Sequence, residues 1–308
     1  MAIQRELWEE TIVGNVFRKN DFWMDAFNAD QYVLQGRVVH IPQAGGLIGV
    51  SKNRNSLPAA VVRRTDTDAT YSLDEYTTDP VHIPYADQVE LSYDKRLSVT
   101  SEMVSALRQL VADNALYSWS PDVANYSFTK VNATGNDLAA YTTSAAGTRR
   151  GTKVADFLTM ASLFDNEDIP EEDRYSILDA NQYYSLLADL SATQFRDFSQ
   201  VIDPRTGKVD ELYGFKIRKR SKVLVADSNG IVKAPDAVAA ADDCPVSLFW
   251  QKNSVERALG EVKFFERLDD PTYYGDIYST LLRFGGRVRR ADQKGVGVLF
   301  NGIGGQGA

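Results

Sequence analysis

The chain has 308 residues, 44% of them hydrophobic and 25% charged, with a net charge of −8. That is an ordinary globular balance, with room for one large core or two modest ones, and it excludes disorder as the default. No run approaches the ~18 apolar residues of a membrane span, a lone Cys244 excludes an internal disulfide framework, and the acidic balance argues against tight, sequence-independent nucleic-acid binding.

Residues 1–30 read as an arm. Ile3, Leu7, Trp8, Ile12 and Val16 recur at helical spacing, although Gly14 weakens a helix there by about 1 kcal/mol. Phe17, Phe22, Trp23 and Phe27 follow. Two readings stand side by side: a segment covering the chain's own core, or an arm whose aromatics bury against a neighbouring subunit. Glu6, Glu9 and Glu10 stand where a secretory signal would be basic and then apolar, so export by that route is not expected.

An excursion follows, bounded by a repeat. Val39-His40-Ile41-Pro42 recurs as Val81-His82-Ile83-Pro84, which reads as one strand leaving and one returning along the same path. Between them come a turn-rich break (Pro42 to Gly49), a short strand (Ala59 to Arg64) and a polar turn (Asp66 to Thr70). Prolines 42, 58, 80 and 84 cannot donate to a ladder, so these strands should lie at edges. A lone two-stranded ribbon is marginal in water, so it should rest on another element or another copy.

Residues 93–120 hold the strongest helical pattern, clearest from Ser98 to Leu116. Val99, Met103, Leu107, Leu110, Val111 and Leu116 share one side, while Glu102, Arg108, Gln109 and Asp113 take the other. Ser98 reads as the N-cap, and Pro121 closes the far end. Residues 121–150 read as strand fragments and loop. Thr152 to Phe164 is a second amphipathic helix with Val154, Phe157, Leu158, Ala161 and Phe164 inward. An acidic loop, 165–173, leads to a strand, Arg174 to Leu178, and then to a helix opened by Asp179 with Gln182 three residues on. Leu212 to Ile217, Lys222 to Ala226, Val246 to Trp250, Val262 to Leu268, Tyr278 to Phe284 and Gly295 to Phe300 read as strands, and Gln251 to Leu259 as a short helix.

The sequence offers little to catalysis. His40 and His82 are the only histidines; without further ligands they read as paired strand residues rather than a metal site. Asp242 and Asp243 beside Cys244 would raise its thiol pKa. The acidic loop lacks the ligand order and central Gly of an EF-hand. Gly45 to Gly49 and Thr206-Gly207-Lys208 depart from phosphate-binding patterns. Lys216, Arg218, Arg220 and Lys222 would share one face of a strand, read either as a solvated hairpin or as a contact for a polyanion.

The order of parts, with its wording, resembles one family. Arg174 to Leu187 (RYSILDANQYYSLL), Leu212 to Ile217 (LYGFKI), Val246 to Ala258 (VSLFWQKNSVERA) and Leu282 to Leu299 are similar to four segments, in order, of the major capsid proteins of tailed bacteriophages. The resemblance implies an α+β fold of Hong Kong 97 type: an N-terminal arm (1–32), an extended β E-loop (33–86), a peripheral domain with a long spine helix (87–120), an axial α/β domain (121–250), a return to the peripheral domain (251–301) and a tail (302–308). It further implies a non-enzymatic coat protein, without cofactor, metal or membrane, that forms pentamers and hexamers and closes an icosahedral shell around double-stranded DNA held without sequence specificity. The implied partners are other copies of the chain, a separate scaffolding protein or none, a portal and decoration proteins, with assembly in the host cytoplasm and residence in the virion capsid.

Candidate inter-subunit contacts are Trp8, Phe17, Phe22 and Trp23 in the arm and Lys52, Arg54, Arg63 and Arg64 in the loop. Some family members link a loop lysine covalently to a neighbour; Lys52 is the residue so placed, and an ordinary surface lysine is the plainer reading. Rival readings are an encapsulin-type nanocompartment with an inner groove for a cargo peptide, a hydrolase or metal-dependent enzyme, and an adhesin-like β protein.

Overall fold

A computed structural model describes residues 21–34, 37–43, 52–53, 61, 66–85, 95–190, 202–203 and 208–304. The chain enters through a 3₁₀ turn, Asp21–Asp25, and then β1 (Phe27–Asn28), β2 (Val33–Leu34), β3 (Val38–Gln43), β4 (Thr67–Ser72), β5 (Asp74–Thr77) and β6 (Val81–Pro84). Helix α1 (Lys95–Trp119) follows, then short strands β7 (Lys130–Asn132), β8 (Asp137–Ala139) and β9 (Thr148–Arg150), helix α2 (Val154–Asn166), β10 (Arg174–Asp179) and α3 (Ala180–Asp189). The remainder is β11 (Ile202–Asp203), β12 (Lys208–Val209), β13 (Glu211–Leu212), β14 (Phe215–Arg220), β15 (Leu224–Ala226), β16 (Cys244–Gln251), β17 (Val255–Asp270), β18 (Gly275–Val288) and β19 (Val296–Phe300).

Two sheets dominate. One runs β13-β14-β10-β16-β19-β7, with β15 on β16. Its central strands β10, β16 and β19 are buried along their whole length, so alternate residues feed two cores. Tyr175, Ile177, Leu248, Trp250 and Val298 face α1, while Leu178, Phe249, Phe215 and Leu299 pack with α2 and α3. The other sheet is the long hairpin β17–β18, joined on one edge by β1 and on the other by β5 and β6.

Helix α1 lies in the core shared by the two sheets. Met103, Val104, Leu107, Val111, Ala115, Leu116 and Trp119 are buried at the three- and four-residue spacing that keeps one stripe inward. At 25 residues it is roughly 37 Å long. It begins three residues before Ser98, which is therefore inside the helix and not its cap. Leu110 is exposed rather than inward, as is Leu158 on α2. Trp119 closes the helix: its indole donates to Glu256 O at 2.9 Å and packs 5.7 Å from Trp250. Gly286 of β18 permits this, because a Cβ there would stand 2.8 Å from Trp119 Nε1.

Several expectations are corrected. The two VHIP strands do not run together: β3 pairs with β4, Val39 opposite Tyr71, whereas β6 pairs with β18, His82 opposite Ile277. The chain turns back at residues 67–72, before the second copy is reached. The stretch expected as a helix at 251–259 is a short 3₁₀ turn (Lys252–Ser254) and then the start of β17, since pairing with β18 satisfies its backbone. The strand expected at 212–217 is a hairpin, β13–β14. Its corner, Tyr213-Gly214, has φ of 48° and 78°, the paired left-handed conformation that two-residue hairpins favour. Strand β19 lies between β16 and β7 in the seven-stranded sheet.

Candidate assembly surfaces

The arm's root is fastened to its own chain. Phe22 and Trp23, expected at subunit contacts, are buried here: Trp23 stacks on Phe284 at 4.7 Å, and Phe22 meets Trp119 edge-on at 5.8 Å. Two large rings within reach of a Trp-lined core bury more area inside the chain than at its surface. Trp250 Nε1 donates to Asp25 O at 2.8 Å, and Arg257 Nε to Trp23 O at 2.9 Å. Trp8 and Phe17 lie outside the described residues.

The basic strand has a use that neither reading foresaw. Of the four basic residues expected on one strand face, Lys216, Arg218 and Arg220 lie in β14 while Lys222 falls beyond its end, and each of the three meets a carboxylate from a different element: Asp173 of the acidic loop at 3.1 Å, Asp25 of the arm root at 2.9 Å, and Asp113 of α1 at 2.5 Å. Burial pushes the Asp25 carboxyl up, and the guanidinium of Arg218 opposes that shift. The face is an internal clamp rather than a free polyanion site. On the other face, Lys219 lies over the rings of Tyr183 and Tyr184.

The loop's root is latched to the hairpin. Arg287 Nη1 donates to Thr70 O at 2.7 Å and Gln43 Nε2 to Arg289 O at 2.5 Å. Glu256, buried in β17, lies 3.1 Å from Arg289 Nε, and the hydroxyl of Tyr71 faces it. Val39, Leu73, Ala29 and Ala258 form a small core beneath. Lys52 is exposed in a turn with Asn53; Arg54, Arg63, Arg64 and the short strand expected at 59–64, apart from exposed Val61, lie outside the described residues.

The histidines belong to separate sheets and do not pair with each other. His40 Nδ1 sits 2.5 Å from Asp68 Oδ2 across β3 and β4, while the His82 ring is 5.7 Å from that of Tyr273. Asp165, expected in the acidic loop, lies in the last turn of α2 and pairs with Arg174 at 2.8 Å. Among the described residues no group of three or more His, Cys, Asp or Glu is arranged to hold a metal. Burial, first, and then the nearby aspartates push the Cys244 thiol up, against Arg149.

One surface was missed in the sequence. At the far end of the β17–β18 hairpin, Tyr274 is 79% exposed, Tyr273 56% and Tyr85 64%, with Phe265 and Leu268 also open to solvent. The geometry is fixed: Tyr85 N donates to Tyr274 O at 3.0 Å, Asp270 accepts from Thr272 N at 2.7 Å, and Tyr274 is held at φ 52°. An L-residue kept left-handed carries a local cost that the surrounding turn must offset. The signal was present in Asp270-Pro271-Thr272-Tyr273-Tyr274-Gly275, where turn residues bracket two adjacent aromatics.

Residues 85–258 match a family model described as Gp10A-like major capsid protein. No curated protein matches the chain. Among solved structures, the chain is similar to the capsid of cyanophage P-SCSP1u (19% identity, 91% of this chain and 87% of that one, TM-score 0.65). It is also similar to the capsid of Ralstonia phage GP4 (10%, 92% and 88%, 0.63) and that of cyanophage Pam1 (13%, 91% and 89%, 0.62). At these identities the likeness is one of fold.

Proposed function

The chain belongs to the Gp10A-like family of major capsid proteins and has the Hong Kong 97-type capsid fold, and from that premise we propose how it builds a shell. It is a phage coat protein, a structural component of the virion capsid and not an enzyme. Its copies associate as pentamers and hexamers, and these close into an icosahedral shell around double-stranded DNA, assembled in the host cytoplasm. Residues 1–32 serve as an arm and 33–86 as an extended loop between copies. Helix α1 and the β17–β18 hairpin form the peripheral domain, and residues 121–250 with β19 form the axial one. Trp8 and Phe17 in the arm and Lys52, Arg54, Arg63 and Arg64 in the loop supply contacts to neighbours, while scaffolding, portal and decoration proteins complete the particle.

The observation that carries this reading is the tyrosine-rich tip of the hairpin, an exposed aromatic cluster on a rigid turn. Aromatic side chains that gain no burial within the chain favour burial against another surface, and a fixed turn lowers the entropy cost of docking. The neutralised face of β14 supports a second feature. With Lys216, Arg218 and Arg220 already paired and a net charge of −8, the chain has little with which to grip DNA tightly, so the genome is held by confinement.

The test is to express the full chain alone, size it on a column and image the eluate by electron microscopy. Closed shells or ring-shaped capsomers are expected. A 34.3 kDa monomer that persists at high concentration, and with a scaffolding protein co-expressed, would overturn the assembly reading. Shells that enclose a protein cargo and no DNA during infection would move it to a nanocompartment.

A further inference from the structure

Strands β10 and β14 run parallel, in register from Arg174 opposite Phe215 to Asp179 opposite Arg220, and both finish at a pocket of about 350 Å³. The chain leaves their ends in opposite directions. After Asp179 it enters α3, whose Tyr183 and Leu186 pack on one face of the sheet; after Arg220 it passes to β15, whose Leu224 and Ala226 pack on the other. Such divergence opens a crevice beyond the carboxyl ends of parallel strands, a favoured place for small ligands. The volume lies in the range of small-molecule sites. Gln109 and Asp113 of α1 close one side, and residues from 233–243 close another.

The walls are held before any ligand arrives. Buried Arg149 donates to the carbonyls of Ala146, Ala241 and Asp243, tying the chain after Tyr141 to the chain before β16. Lys233 Nζ donates to Asp243 Oδ1 at 2.9 Å and to Val238 O at 2.7 Å. A preformed wall lowers the entropy cost of binding. The charges lining the pocket are unevenly matched. Asp113 pairs with Arg220, and Asp243 with Lys233. Asp179 is buried and met by neutral groups, the Tyr141 hydroxyl and the backbone N–H groups of Asn181 and Gln182. Lys222 is exposed and has no ion pair among the described residues. A buried carboxylate without a cation and an outer ammonium without an anion leave one place for each sign, and Val223, Leu224 and Pro235 add apolar wall.

We propose that this pocket binds a short zwitterion of the ω-amino acid type, with its ammonium at Asp179, its methylenes on Val223, Leu224 and Pro235, and its carboxylate at Lys222. An ammonium donating to a buried carboxylate makes a charge-assisted bond, about twice as strong as a neutral one. The site goes beyond the coat-protein reading and does not depend on it, because a single folded chain supplies every wall. A ligand seated there touches both α1 and the ends of the sheet, and it stabilises the folded chain by mass action.

The test titrates the full chain calorimetrically with ω-amino acids from γ-aminobutyrate to ω-aminooctanoate, and with hexylamine and hexanoate, which each carry one of the two charges. The expected result is saturable binding of at least one ω-amino acid, with a raised melting temperature. That ligand should bind about threefold tighter than hexylamine, the modest gain an exposed ion pair supplies, and hexanoate should bind weakest. Lys222→Gln changes an exposed residue and leaves the fold in place, so it should bring the zwitterion down to the level of hexylamine. Asp179→Asn keeps the capping oxygen and should weaken both ligands at least about tenfold; a melt without ligand checks that this variant folds, and the Lys222→Gln comparison stands if it does not. Absence of saturable binding across the series overturns the proposal. So does a zwitterion that binds no tighter than hexylamine or hexanoate, or one whose affinity is unchanged in Lys222→Gln.

Discussion

Asp179 ends β10 with 3% of its surface exposed, and its carboxylate accepts from Gln182 N at 2.9 Å and from Tyr141 OH at 2.5 Å. Burial raises its pKa, and both hydrogen bonds oppose that shift without reversing it. A carboxyl shifted upward by folding contributes stability that is complete below the ordinary aspartate range and is lost as pH rises through the shifted value. Asp179→Asn keeps a capping oxygen and removes the charge. The difference in melting temperature, variant minus wild type, is therefore expected to grow more positive from pH 4 to pH 7, followed by thermal melts. A difference that stays flat would mean the buried charge is not the source. The Asp179–Gln182 spacing made this cap legible in the sequence. The rest of the cluster was not, because Gln182 reaches Tyr141, Thr152 and Asn301, residues 30 to 119 positions away. The same holds for Phe22 and Trp23, whose partners Trp119 and Phe284 only the folded chain brings near.

Helix α1 shows what a period can and cannot tell. Its 3.6-residue repeat marked the element and most of its inward stripe, and Leu110 broke the pattern because the stripe is narrower than the run of apolar residues. Leu107, 4% exposed, and Leu110, 52% exposed, stand one turn apart and should separate cleanly on truncation. Leu107→Ala is expected to cost about 2–5 kcal/mol, through lost burial and the cavity left behind. Leu110→Ala should stay within about 0.5 kcal/mol. Urea unfolding of the unassembled chain measures both, and equal costs would refute the placement of α1. Residues 254–259 show the reverse situation. Ser-Val-Glu-Arg-Ala-Leu has the composition of a helix, but Val255 to Leu259 pair with Phe284 to Val288, and that ladder overrides local preference. The repeated VHIP likewise revealed two strands and concealed their partners, since identical words pair with whatever strand the topology sets beside them.

For the molecule as a whole, stability and assembly draw on different residues. The two cores on either face of the seven-stranded sheet hold the chain together, and the three ion pairs of β14 tie the arm root, the acidic loop and α1 to its edge. None of these involves the hairpin tip, where Tyr273 and Tyr274 lie exposed at the turn joining β17 and β18. Replacing both by serine removes aromatic area without opening a cavity, so the fold should melt within a degree or two of wild type, because surface changes away from packed features cost about 0.5 kcal/mol or less. Assembly should respond quite differently. If the tip is buried between copies, each shell loses this contact at every occurrence, and truncating a buried aromatic anchor costs about 2 kcal/mol or more per contact. The concentration needed to form particles should then rise at least tenfold, read by light scattering across a dilution series. A variant that melts and assembles like wild type would show that the tip faces solvent in the shell, and the burden of association would pass to the arm and the loop.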